Sequence, residues 1–151
     1  MNWKRYWISA VAVLVVAKGL VAALFFGVIF DSVYDQALPC ARAEGSEVHA
    51  AGLICMIAWS LALTYVYAKG HQNKGWTEGI RFGLLVWTFY FVPMITGFYG
   101  YYAMPFNWVV AGLVSGLAES LTAGLLVALL YKSKTSEQRE LLSEGAPLNE
   151  G

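Results

Sequence analysis

Between Asn107 and Tyr131 the chain runs apolar for a membrane's depth, with one ionisable side chain, Glu119, at its centre. A hydrocarbon core about 30 Å thick needs roughly 20 mostly apolar residues per helix. Residues 107–131 meet that length, and so do residues 7–30, 48–68 and 79–98. The first of these, 7–30, carries the complementary interruption, Lys18. Hydrophobic residues make up 58% of the 151 positions and charged residues 13%, with a mean hydropathy of +0.55, well outside soluble averages. The expected class is therefore an all-α integral membrane four-helix bundle, with one domain over 1–131 and a polar tail over 132–151. In that tail, 135–143 suits a helical turn or two, and the remainder reads as largely disordered.

Orientation follows from the cations. Lys4, Arg5, Lys69, Lys74, Arg81, Lys132, Lys134 and Arg139 fall on the side of the termini, whereas the other side has only Arg42. Lysine and arginine concentrate in cytoplasmic segments, so both termini are expected in the cytoplasm and the chain in the cell inner (plasma) membrane. Trp3, Trp7, Trp76 and Tyr131 would mark the inner interface; Tyr34, Tyr99, Tyr101, Tyr102 and Trp108 would mark the outer one. The first apolar run is too long for a signal peptide and is interrupted by Lys18, so it reads as a retained helix.

Depth then connects the two buried ions. At 1.5 Å per residue, Lys18 lies about 16 Å beyond Trp7 and Glu119 about 16 Å beyond Trp108, from opposite faces. Both reach the midplane, where a lone charge costs about 2.5–3.5 kcal/mol on insertion scales. A Lys18–Glu119 contact, direct or through water, offsets much of that cost. The alternative gives each ion its own aqueous pocket or a partner protein. A pair could simply choose which helices meet, or it could be a site that takes up a proton or holds an anion.

Helix four also carries Gly112, Gly116, Ser120 and Gly124 at every fourth position, a small-residue stripe that permits close helix approach. Ser115, Glu119 and Thr122 form a polar seam beside it. Helix one offers Ala22, Ala23 and Gly27 as small counterparts; helix two offers Ala51, Cys55, Ala58 and Ala62. The stripe serves packing inside the bundle, homo-oligomerisation or docking to another membrane subunit. In helix three, Pro93 should introduce a kink, and Glu78 and Arg81 share a face one turn apart.

Other chemistry is sparse. Of the two cysteines, Cys40 falls in a loop and Cys55 in helix two; with no CxxC, neither a redox pair nor a thiolate metal site is encoded. A Cys40–Cys55 disulfide would require Cys55 near the outer surface. His49 opens helix two, where an imidazole could ligate a metal or a tetrapyrrole, but no second ligand stands at metal spacing. From Trp87 to Trp108, ten of 22 residues are aromatic. That density suits an interfacial belt, or a platform for a lipid, quinone or pigment ring in which Trp87, Tyr99 and Trp108 would take part beside His49. No nucleophile–base set, phosphate-binding glycine loop or paired acid and base appears, so enzyme activity is not expected. With no basic tract, nucleic acid is not expected as a partner.

Two stretches, Glu78-Gly-Ile-Arg-Phe-Gly-Leu-Leu85 and Gly116-Leu-Ala-Glu-Ser-Leu-Thr-Ala-Gly124 with Ala128-Leu-Leu-Tyr131, resemble a widespread group of small bacterial four-helix membrane proteins with no assigned activity. The resemblance implies the four-helix layout and no chemistry. A mid-membrane glutamate is also similar to that of small multidrug transporters, but there it belongs to the first helix of a shorter chain. The expectation is an accessory or structural subunit of a larger membrane complex, photosynthetic or respiratory; the alternative is a small proton-coupled transporter using Glu119 and Lys18.

Overall fold

The structure, a computed structural model, describes residues 2–34, 49–72 and 74–131. Cys40, Arg42, the tail from 132 and the side chains of Tyr34 and His49 lie outside the described residues. What is described is all-helical. Four helices are long and apolar enough to cross a membrane: α1 (Trp3–Ile29), α2 (His49–Gly70), α3 (Trp76–Tyr101) and α4 (Phe106–Leu130). A single further turn, Asp31–Tyr34, follows α1.

Two helices, α1 and α3, begin earlier than apolarity alone predicts, because the residues before them extend them. α1 starts at Trp3 rather than 7: the Asn2 side chain accepts the Arg5 N–H at 3.4 Å. Edge-on ring contacts from Trp3 to Tyr6 and from Tyr6 to Trp7 then continue the turn. α3 starts at Trp76 rather than 79. Gly75 before it has φ +69° and ψ −148°, a conformation essentially reserved for glycine. Glu78 and Arg81, one turn apart on a shared face, do not pair. The Glu78 carboxylate instead accepts the backbone N–H groups of Gln72 (2.7 Å) and Lys74 (2.8 Å), closing the α2–α3 connection from inside α3.

Two helices carry widened turns with i→i+5 bonding. In α1 these span Val13–Val21, which includes Lys18, and Phe25–Ile29, closed by Phe30 N–H to Phe25 O at 2.9 Å. In α3 the widened turn is Trp87–Phe91, immediately before Pro93. Proline lacks an N–H and crowds the carbonyl one turn back, and the chain meets that demand with a wider turn and continues helical to Tyr101. Such turns inside helices concentrate at functional positions.

α4 organises the packing and has its broadest contact with α3. The close approach is glycine on glycine. A Cβ on Gly83 would stand 2.6 Å from the Ser120 carbonyl oxygen, and one on Gly79 would stand 2.7 Å from both the Gly124 oxygen and Ala128 Cβ. Toward the other end, Gly116 receives the Phe91 ring and Gly112 meets Ile95. All four stripe positions are thus occupied within the bundle by α3, Ser120 and Gly124 by Gly79 and Gly83, and Gly116 and Gly112 by Phe91 and Ile95. The small residues of α1 and α2 serve differently: Ala23, Gly27, Ala51, Cys55, Ala58 and Ala62 are exposed.

The first and last described residues meet. Asn2 N–H donates to Tyr131 Oη at 3.4 Å, so the first and last described residues share one end of the bundle. Tyr131, expected at an interface, is buried there against Tyr67 and His71. Below it Tyr6, Val13, Ala17, Leu63, Tyr67, Ala123 and Val127 form the main core. Toward the far end that core gives way. The α1 stripe of Tyr6, Ala10, Val13 and Ala17 stops just before Lys18, and residues 50–58 of α2 are all exposed.

Candidate functional site

Lys18 sits where the core ends, and its ammonium touches every other helix. It is ion-paired with the Glu119 carboxylate of α4. It lies 4.2 Å from the centroid of the Trp59 ring on α2 and 5.5 Å from that of Phe91 on α3. The Lys18 and Glu119 side chains are 13% and 6% exposed, so neither ion is solvated by bulk water. Opposite charge and two ring faces replace the lost hydration; a cation over a desolvated aromatic ring is worth about 2 kcal/mol.

The neighbouring hydroxyls take no part in the pair. Ser115 donates to Gly112 O (3.2 Å), Ser120 to Leu117 O (3.1 Å) and Thr122 to Ala118 O (2.8 Å). Each hydroxyl is turned back on its own helix, the usual way to satisfy it in an apolar setting. The polar seam therefore has a single charged member, Glu119. Glu119 has a second exposure, to a cavity of about 190 Å³ that runs toward the far end. Phe26 from α1, Phe91, Met94, Ile95 and Phe98 from α3, and Trp108, Gly112 and Ser115 from α4 line it.

The proposed ring platform is not gathered in one place. Trp87 spends its indole N–H on the Leu113 carbonyl of α4, at 3.0 Å. Tyr99 is exposed and edge-on to Phe106 at 6.2 Å, while Trp108 alone of the three lines the cavity. Among the described residues no three His, Cys, Asp or Glu side chains are grouped to hold a metal.

Sequence reasoning missed Trp59 and Phe91 as partners of Lys18, and Gly79–Gly83 as the mate of the α4 stripe. Both had legible signals. Gly79 and Gly83 repeat the four-residue spacing of α4, and Trp59 lies ten residues, about 15 Å, into α2, close to the roughly 16 Å reckoned for Lys18.

No family model, curated protein or solved structure matches the chain. Fold and site define its class: among the described residues, an all-helical bundle with four helices apolar enough to cross a membrane, joined by the Lys18–Glu119 ion pair with an aromatic surround.

Proposed function

We propose that this chain is a multi-pass protein of the cell inner (plasma) membrane, both termini cytoplasmic, that serves as a non-enzymatic accessory subunit of a larger membrane assembly. The observation that carries this reading is the unmatched small-residue face of α2. Ala51, Cys55, Ala58 and Ala62 are all exposed, whereas the equivalent stripe on α4 is covered by α3 residues Gly79, Gly83, Phe91 and Ile95. Small residues at helical spacing allow a second helix to approach closely, and on α2 their own bundle leaves them uncovered. The eight-to-one distribution of Lys and Arg supports the orientation. Lys18–Glu119 would then be a structural pin, and the small bacterial proteins that residues 78–85 and 116–131 resemble share the layout.

Gentle extraction from the source membrane followed by native electrophoresis tests this. Co-migration with a large assembly, lost in an Ala51→Leu/Ala58→Leu variant of unchanged stability, is the expected result. A ladder of the chain's own mass would make the partner a second copy, and a lone 16.6 kDa species would sink the reading.

One observation favours a second reading. The cavity that reaches Glu119 from the far end, with the tyrosine-rich core closing the terminal end, is also what a small proton-coupled carrier would need.

A further inference from the structure

A larger cavity, about 420 Å³, lies at the terminal end between α2 and α3. These helices are joined by residues 71–75 alone, yet they form no broad contact. The floor is apolar: Val66 from α2, and Phe82 and Leu85 from α3, backed by the edge-on Tyr67–Phe82 pair at 5.2 Å. The rim carries two exposed cations, Lys74 and Arg81. Glu78 also lines the cavity, but its two oxygens hold the Gln72 and Lys74 backbone N–H groups, and among the described residues neither Lys74 nor Arg81 has a carboxylate partner.

Apolar walls thus adjoin two cations that have no carboxylate partner among the described residues. We propose that this cavity binds the headgroup of an anionic phospholipid, its phosphate between Lys74 and Arg81 and its first methylenes against Val66, Phe82 and Leu85. Volume agrees with that occupant. At roughly 30 Å³ per water, 420 Å³ holds about fourteen waters, space for a glycerophosphate unit but not a whole lipid, so the acyl chains continue into the bilayer. A free phosphate would satisfy the rim and leave the apolar floor unused. Basic recesses between helices on the cytoplasmic side suit acidic headgroups in general, each cation near the surface contributing about a fivefold gain in affinity. This inference needs the chain to span a membrane, but not the subunit role proposed above.

The test uses the full chain in phosphatidylcholine nanodiscs doped with phosphatidylglycerol, released gently and weighed by native mass spectrometry. The chain should retain phosphatidylglycerol in preference to phosphatidylcholine. Retention should fall about fivefold for Lys74→Gln or Arg81→Gln and about 25-fold for both together; both side chains are exposed, so the fold should stand. Leu85→Trp, which crowds the cavity's apolar wall and keeps both charges, should also lower retention. Undiminished retention in the double variant overturns the proposal. Undiminished retention in Leu85→Trp overturns it too, by showing surface attraction alone. Displacement of the lipid by millimolar inorganic phosphate would show that the site takes a free anion, which likewise rejects a lipid occupant.

Discussion

The ammonium of Lys18 stands 4.2 Å from the ring centroid of Trp59, which ties α2 to the Lys18–Glu119 ion pair. α2 has little else to hold it there, because its residues 50–58 are exposed and its packing rests on the half that begins at Trp59. The ring face is therefore a positional anchor as well as an electrostatic partner. Trp59→Leu should destabilise the bundle by about 2 kcal/mol and Trp59→Phe by roughly half that, since phenylalanine keeps a weaker ring face. A double-mutant cycle with Lys18→Met should give a coupling of about 0.5–2 kcal/mol, read from detergent-unfolding midpoints. Strict additivity would mean that ring and ammonium do not interact.

The pair itself invites a cycle of its own. Lys18→Met alone leaves Glu119 buried without its cation, and removing one partner of a buried pair costs about 3–5 kcal/mol. Lys18→Met with Glu119→Leu should recover stability to within about 1 kcal/mol, because apolar groups of similar volume often replace buried ions without loss. Accumulation in the membrane and unfolding midpoints report both. If the double variant folds and still enters its assembly, the pair is structural. A folded double variant that keeps its oligomeric state but loses proton-driven uptake in vesicles would establish the carrier reading.

Glycine contacts between α3 and α4 predict a sharp positional contrast. A side chain at Gly83 meets the Ser120 carbonyl and Leu121 Cα, both backbone atoms that cannot turn aside. Gly83→Val should therefore cost at least the 1–3 kcal/mol of ordinary overpacking. Gly27→Val, where nothing lies within 4 Å, should change stability by less than about 0.5 kcal/mol. Parallel thermal melts in one detergent compare them, and equal losses at both positions would contradict the proposed helix contact.

The Glu78 carboxylate closes the α2–α3 connection by accepting two backbone N–H groups. Glu78→Ala should speed hydrogen exchange at the Gln72 and Lys74 amides while leaving the buried α4 amides slow. The global cost should be only about 1 kcal/mol, since the bonds are exposed to water. Unaltered exchange at both amides would show that the carboxylate does not hold the connection.

How much of this was legible beforehand differs residue by residue. Lys18 and Glu119 could be matched because a helix rises by a constant amount per residue, so position in the chain converts to depth. Depth says nothing of rotation. Which faces of α2 and α3 turn inward depends on packing, and so Trp59 and Phe91 went unrecognised beside Lys18. The α4 stripe is visible as a close-contact face, but the small residues of α1 and α2 that could match it are, Ala22 apart, exposed, and the contact is made at Gly79 and Gly83 instead.

The amino-acid sequence by itself determined the number of long apolar helices and placed one cation and one anion at matching depth, because span length and axial rise are local properties of a helix. The tertiary structure alone decided which helix lies against which. That choice depends on azimuth and on sub-ångström steric fit between backbones, as where Gly124 meets Gly79 and Gly83, and neither is encoded in the spacing of any one segment.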